Sequence, residues 1–319
     1  MKNYKIVNLR ALAIIFVVLG HSIILYKTGW NYYTTNVNCN FLTNLCLLIY
    51  LFHMPLFFSI SGYLFIDKCQ KKDMLSIVKN KFKRLIIPYI IIGILWVYPI
   101  KIISQYPKYL KNGFIYNIIM NIIIGKDNGH LWFLPALFTI FIISYLIEKY
   151  IKNSKIKFFL ILLMFLLGHI LNLSWFSEAL KYTLWFYFGY FVKKQSFEYQ
   201  IKYKNILIIF TLIFILAYFY TYNSNAYISL GFKYMVCLTI IPLMYNMISN
   251  KKIKIIENIS NYSFGIYLFH SPLIYISFRY FSDINPLLML LINFSFLGLI
   301  AYFLSYFFSN SKLKFIIGG

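Results

Sequence analysis

Acidic residues are scarce in this sequence. Asp and Glu total 8 against 31 Lys and Arg, and charged residues make up 12% of the 319. Soluble domains carry roughly 25% charged residues, so this composition excludes a soluble enzyme. Every acid falls in a loop or at the end of an apolar run. Proton-coupled transporters commonly need a carboxylate within the membrane, and that class therefore loses support.

Cysteine pairs and phosphate-binding loops are also missing. The four cysteines are scattered and include no C-x-x-C pair, which argues against a disulfide scaffold or a zinc site, and no metal is expected. There is no glycine-rich G-x-x-x-x-G-K-[ST] loop, so ATP hydrolysis is not expected. The sequence shows no internal repeat or low-complexity linker, and we predict one membrane domain over residues 1–319.

Apolar residues are abundant, at 61% of the chain, and they form long runs. A membrane-spanning helix needs about 20 mostly apolar residues. The weakest candidate, 180–192, is short and is expected to be a tilted or partly buried helix. The run 114–125 is shorter still and is expected to be re-entrant or interfacial. We therefore predict an all-α polytopic membrane protein with about ten transmembrane helices, at 8–26, 43–66, 86–104, 131–148, 158–174, 180–192, 206–222, 232–249, 262–280 and 286–308.

Positive charges follow these runs in a regular pattern. With both termini placed in the cytoplasm, 23 of the 31 Lys and Arg fall on the inner side, as the positive-inside rule requires. Topology thus explains the net charge of +23, and nucleic acid is not expected as a partner. The first run contains Arg10 and ends without a small-residue cleavage pattern, so we expect it to be kept as a span rather than removed as a signal peptide.

Arg10 and His21 are the first chemical candidates. Eleven residues of α-helix turn through about 1100° and rise about 16 Å, so the two side chains share a face at different depths. An Arg at the cytoplasmic boundary then places the His near the middle of the bilayer, where an ionisable side chain is a functional candidate. A snorkelling Arg and a His bonded to a neighbouring helix would give the same pattern.

The second and third spans carry further candidates. His53 lies in the outer half of the second span, close to Pro55, which leaves backbone groups for protein or a wet cavity to satisfy. Ser61 and Gly62 favour, on spacing alone, close helix approach over chemistry. Arg84 abuts the third apolar run, where its planar guanidinium could hold the phosphates of a cytoplasmic donor.

Three later spans contain histidines. His130 and Trp132 open the fourth span at the outer face, although Trp132 also suits the aromatic belt of a membrane protein. His270 in the ninth span returns to the depth estimated for His21, which makes a paired site geometrically possible. His169 in the fifth span is expected to be a structural, hydrogen-bonding histidine.

Taken in order, these motifs resemble those of one family, the integral-membrane acyltransferase-3 family, and within it the surface-polysaccharide and fucose O-acetylases. The resemblance covers almost the whole chain. The matching motifs are Arg10 with His21, the His53-Met-Pro-Leu-Phe-Phe run with Ser61-Gly62-Tyr63, Arg84-Leu-Ile-Ile-Pro88, His130-Leu-Trp-Phe-Leu134 and Tyr267-Leu-Phe-His270.

The resemblance implies a ten-span enzyme of the bacterial cell membrane. Such an enzyme takes an acetyl group from cytoplasmic acetyl-CoA and delivers it to a sugar hydroxyl of a cell-surface or lipid-linked glycan. His21 matches the family's essential His, Arg10 the positive residue before it, and Arg84 the Arg that starts the third span. Many relatives have an acid where this chain has Val7, so Arg10 is expected to pair with Asp67, Asp73 or a substrate phosphate.

For such a transfer, His21 would act as the base or as a transient acyl carrier, because imidazole titrates near neutral pH. Arg10 would act with His21 in catalysis, and Arg10 and Arg84 would bind the CoA phosphates. The rival class is a polytopic glycan flippase, which shares the span count and the charge pattern but leaves its substrate chemically unchanged. The acyl path and acceptor pocket would be lined by His53, Ser61, Trp132 and His270.

Overall fold

Ten long helices build the part of the protein that the structure describes. The structure is a computed structural model that describes residues 3–27, 29–30, 32–69, 73–194 and 204–319. Lys2, Lys71, Lys72 and Lys202, which entered the topology prediction, lie outside these ranges, as do the side chains of Lys68 and Cys69. The helices are α1 (Tyr4–Ser22), α2 (Asn40–Cys69), α3 (Met74–Ile103), α4 (Gly129–Tyr150), α5 (Ser154–Ile170), α6 (Trp175–Lys194), α7 (Lys204–Thr221), α8 (Ala226–Met247), α9 (Lys254–Tyr280) and α10 (Pro286–Ser309).

Each of the ten predicted runs overlaps one of these helices, and the described ranges contain no strand. Seven helices, namely all but α5, α6 and α9, are long and apolar enough to cross a membrane. The prediction of an all-α polytopic membrane protein is therefore confirmed, and the crossing of the other three stays a prediction. Arg10 and the turn Lys314–Ile317 line one cavity, so both ends of the described chain lie at the same end of the helix bundle. The placement of both termini in the cytoplasm stays a prediction.

The third helix is longer than the apolar run at 86–104 suggested. Asp73 caps its first turn by accepting a hydrogen bond from the backbone N–H of Ser76, and the helix then runs through the basic residues before Ile86. Lysine and arginine are good helix formers. Because they are charged, a helix that contains them is not detected from apolar runs alone. Two wider π turns, Phe82–Ile86 and Gly93–Val97, precede Pro88 and Pro99, which cannot donate backbone hydrogen bonds.

Helix α6, the weakest of the predicted spans, lies in the middle of the bundle and packs against α2, α4 and α5. Two glycines allow its close contact with α2. A Cβ atom on Gly62 would lie 1.8 Å from the backbone oxygen of Phe186, and a Cβ atom on Gly189 would lie 1.9 Å from that of Ser59. Small residues let membrane helices approach to backbone distance. The prediction that Gly62 serves close helix packing is therefore confirmed.

The run predicted to be re-entrant or interfacial forms the short helix Phe114–Ile123. Ten residues rise about 15 Å, too little to cross a hydrocarbon core of about 30 Å. Asn117 and Asn121 are buried against the protein, while Phe114 and Ile115 are exposed. The short helix packs against the middle of α3, where the Tyr89 hydroxyl donates to the backbone oxygen of Ile122.

Candidate active site

A histidine pair joins α1 to α9, which pack along each other. His270 Nε2 lies 3.0 Å from His21 Nδ1, and the two rings stack with centroids 5.0 Å apart. His270 Nδ1 in turn lies 3.0 Å from the carbonyl oxygen of Ile266 and 2.9 Å from that of Tyr267. The paired site that sequence depth made possible is thus present in the fold.

These contacts assign the proton positions of the pair. A carbonyl oxygen only accepts, so Nδ1 of a neutral His270 carries the hydrogen and its Nε2 accepts. His21 Nδ1 must then donate to His270 Nε2. The remaining nitrogen of His21, Nε2, keeps its lone pair. His270 therefore selects the His21 tautomer whose Nε2 can take a proton or attack an acyl carbon.

His130 lies beside the histidine pair, where a proline in α9 provides a free carbonyl for it. Pro272 lacks an N–H, so it leaves the carbonyl of Leu268, four residues earlier, without its helical donor. His130 Nε2 lies 3.2 Å from that carbonyl oxygen and takes the place of the missing backbone donor. Its ring packs edge-on against His270, with centroids 5.4 Å apart. The Tyr267 hydroxyl donates to the backbone oxygen of His130 and fixes the start of α4.

His21 and His130 both line a small cavity of about 210 Å³, here called the aromatic cavity. His21 is partly exposed, whereas His130 is 6% exposed. The remaining lining is mostly aromatic. The other lining residues are Ile24, Trp30, Tyr32, Tyr50, Tyr106, Asp127, Gly129, Trp132, Ser271, Ile274 and Tyr275.

One buried ion pair borders the aromatic cavity. Lys101 Nζ lies 3.0 Å from Asp127 Oδ1, and the Lys101 side chain is fully buried. The Tyr106 hydroxyl donates to the same carboxylate at 3.2 Å, and Lys108 Nζ approaches it at 3.5 Å. Burial, followed by the nearby Asp127 charge, raises the pKa of Tyr106, which keeps this phenol protonated as a donor. The pair therefore holds a carboxylate in place at the wall of the cavity.

A larger cavity of about 620 Å³, here called the basic cavity, lies at the end of the bundle that contains both chain ends. None of the described side chains that line it is an Asp or Glu. Arg10 Nε donates to Ser260 Oγ at 2.9 Å, and Arg84 is exposed. Its charged lining residues are Arg10, Lys81, Arg84 and Lys314.

The acids expected to pair with Arg10 do not do so. Asp67 lies 2.5 Å from Lys193 Nζ, and Asp73 caps α3. Both carboxylates are near helix ends where a lysine or a backbone N–H already satisfies them. Of the three partners suggested for Arg10, the structure excludes these two pairings, and the substrate phosphate stays a prediction.

A thin wall separates the two cavities. Phe133 lines the basic cavity, and its neighbour Trp132 lines the aromatic cavity. On α9, Tyr267 faces the first and Ser271 the second, and four helical residues rise about 6 Å. His270 lies within this single turn. A group bound at the inner end of the basic cavity is therefore about one helical turn from the histidine pair.

The other predicted site residues divide between these places. Trp132 lines the aromatic cavity, whereas Ser61 lines the basic cavity and donates to the Phe57 carbonyl at 3.0 Å. His53 lines neither. It is 3% exposed, with Nδ1 2.9 Å from its own helix carbonyl at Ile49, and its ring packs against Tyr50. His53 therefore supports the wall of the aromatic cavity from behind.

His169 has the structural contacts that were expected of it. Its Nδ1 lies 2.8 Å from the Phe165 carbonyl, and its Nε2 bonds the Tyr234 hydroxyl.

The sequence alone assigned no role to Lys101, Asp127 or Tyr50. A lysine within an apolar run was the available signal, because a buried ammonium group needs an anion. Although three histidine rings meet at the site, no group of three His, Cys, Asp or Glu side chains within the described ranges is arranged to hold a metal ion.

One known family matches the chain. A family model, described as the acyltransferase domain of the type-3 group, matches residues 3–310, which extend from the start of α1 to the end of α10. No curated protein and no solved structure matches the chain. Since the match covers nearly the whole chain, the chain belongs to the acyltransferase-3 family of membrane acyltransferases.

Proposed function

We propose that this membrane acyltransferase is an O-acetyltransferase of the bacterial cell membrane, which moves acetyl from cytoplasmic acetyl-CoA to a sugar hydroxyl of a cell-surface or lipid-linked glycan. The observation that carries the proposal is the His21–His270 hydrogen bond at 3.0 Å. It presents a basic nitrogen at one cavity, about one helical turn from a second cavity lined by four cationic side chains.

The basic cavity suits the donor. Coenzyme A carries several phosphate charges, and guanidinium groups bind phosphate oxygens through paired, charge-assisted hydrogen bonds. Arg84 is exposed and positioned for such a contact, while Arg10 lies deeper and already uses Nε for Ser260. A volume of about 620 Å³ falls within the range of about 300–1,000 Å³ that is usual for ligand pockets. The phosphates would stay at the basic end and the thioester would point toward His270.

The aromatic cavity suits the acceptor. His21 Nε2 takes the proton of the acceptor hydroxyl as its oxygen forms the new bond to the acetyl carbonyl carbon. The tetrahedral intermediate then collapses, the carbon–sulfur bond breaks, and the CoA sulfur leaves as a thiolate that takes the proton back from His21. The products are an ester and free CoA, and His21 is regenerated in its starting form.

A two-step route uses the same nitrogen. His21 Nε2 would attack the thioester carbon, release the CoA thiolate and carry the acetyl group until the sugar oxygen displaces it. The proton of the sugar hydroxyl would go to the CoA thiolate, so that the products are again an ester and free CoA. Both routes need a lone pair on Nε2, which the bond to His270 provides. Changing His21 therefore stops either one.

The test uses membrane vesicles that contain the full-length protein, supplied with acetyl-CoA that carries a radioactive acetyl group. The expected result is label in a glycan fraction that mild alkali removes, with none for His21→Ala at equal protein level. His169→Ala is the matched control, because His169 contacts neither cavity. Full labelling by His21→Ala would refute the proposed chemistry, and glycan that crosses the membrane without label would favour a flippase.

A further inference from the structure

Among the described residues, the Tyr50 hydroxyl has no hydrogen-bond partner. It is buried, and no hydrogen-bond donor or acceptor within the described residues reaches it. Most buried polar side-chain atoms in proteins are hydrogen-bonded, because an unpaired one loses its contacts with water and gains nothing. Tyr50 lines the aromatic cavity beside His21, and their rings lie 6.3 Å apart at 29°. A group that enters this cavity can supply the missing partner.

Packing fixes the Tyr50 ring in place. The ring lies over Gly20, where an added Cβ atom would be 3.2 Å from Tyr50 Cε2. His53 packs against it edge-on with centroids 4.7 Å apart. These apolar contacts would hold a phenylalanine equally well. The hydroxyl therefore has no role in the packing of this wall.

Asp127 adds a second polar contact of the opposite kind. A carboxylate has about four lone-pair directions, and the contacts with Lys101, Tyr106 and Lys108 leave room for one further donor. The walls between the two polar groups are flat. Tyr106 stacks on Tyr32 at 25° and lies at 30° to Tyr275. A site with aromatic faces and a few fixed polar groups selects a ring that carries several hydroxyls.

We propose that Tyr50 and Asp127 hold the acceptor as a single polyhydroxylated ring in the aromatic cavity, with the Tyr50 hydroxyl beside the oxygen that receives the acyl group and Asp127 accepting from another hydroxyl. This inference rests on the proposed function and adds the residues that position its acceptor. The cavity volume of about 210 Å³ lies below the range of about 300–1,000 Å³ for drug-sized ligands, which limits the enclosed part to one ring. Tyr50 is a positioning residue, because proton transfer belongs to His21.

The test compares Tyr50→Phe with Tyr26→Phe in the purified full-length protein. Tyr26 is the matched control, because its hydroxyl is also buried without a partner among the described residues and it lines neither cavity. The acceptors are methyl pyranosides of glucose, galactose, mannose, fucose and N-acetylglucosamine, with cyclohexanol as a ring that has one hydroxyl. The readouts are release of CoA thiol and formation of the acetyl ester.

The expected result is a rise of about three- to tenfold in the KM for the best pyranoside in Tyr50→Phe. A change of this size corresponds to the loss of one hydrogen bond. The KM for acetyl-CoA and the melting temperature stay at wild-type values. Tyr26→Phe changes none of these, and cyclohexanol is a poor acceptor. An unchanged pyranoside KM in Tyr50→Phe, an equal rise in Tyr26→Phe, or efficient use of cyclohexanol would each overturn the inference. Failure of the proposed function looks different, since the wild type itself would then form no acetyl ester with any acceptor.

Discussion

Replacing His270 with Phe should remove the control of the His21 tautomer and leave the rest of the site in place. The change removes Nε2, the acceptor for His21 Nδ1 at 3.0 Å, and keeps a flat ring in a position that is 1% exposed. The ring contact with His21, at 5.0 Å between centroids, is preserved. His21 is then free to place its hydrogen on either nitrogen, and the form with a basic Nε2 is no longer selected.

The size of the effect follows from the lost hydrogen bond. Leaving a buried donor without its acceptor costs about 1–3 kcal/mol. At about 1.36 kcal/mol for each factor of ten, kcat should fall by about 5- to 150-fold. The KM for acetyl-CoA should change little, since His270 does not line the basic cavity.

The assay is steady-state release of CoA thiol by the purified protein, with acetyl-CoA and acceptor varied separately. His270→Gln is the conservative partner, because its side-chain oxygen reaches about as far as the His Nε2 and accepts from His21. It should recover at least part of the activity that His270→Phe loses. A kcat for His270→Phe close to wild type, or equal losses in both variants, would show that the bond to His270 does not set the state of His21.

Three other predictions follow from the same structure. Arg84→Ala should raise the KM for acetyl-CoA about tenfold or more and leave the acceptor KM unchanged, in kinetics on the purified protein; equal KM values would remove Arg84 from the donor site. Gly62→Ala should lower the amount of folded protein recovered by size-exclusion chromatography, since its Cβ atom would lie 1.8 Å from a backbone oxygen of α6; normal recovery and melting temperature would contradict this. Pro272→Ala should restore the helical donor to the Leu268 carbonyl, release His130 and lower kcat several-fold with little loss of thermal stability; unchanged kcat would show that this anchor is dispensable.

Much of the fold could be predicted because membrane helices leave a direct trace in the sequence. Apolar runs and the placement of lysines located all ten helices, since lipid requires apolar side chains and satisfied backbone groups. The start of α3 was missed because its first turns are not apolar. Its first turns carry lysines and an arginine, and charge on a helix outside the hydrocarbon looks like a loop.

The site could be predicted in part. Helical rise placed His21 and His270 at one depth, because both lie on α-helices, whose rise per residue is fixed. It could not show that Pro272 frees a carbonyl for His130, or that Asp127 folds back onto Lys101. Those contacts depend on which helices are neighbours and on the path of a loop. The spacing of residues along a sequence contains neither.

The most direct test of the central claim, acyl transfer through His21, is made on the glycans of the producing cells. Mass spectrometry and proton NMR, before and after mild alkali, would compare cells that lack the gene with cells given the wild-type or the His21→Ala protein. If His21 carries the acyl transfer, a base-labile acetyl signal disappears without the gene, returns with the wild type and stays absent with His21→Ala at the same membrane protein level. A full acetyl signal with His21→Ala would contradict this claim, and loss of the whole glycan without the gene would point to transport instead.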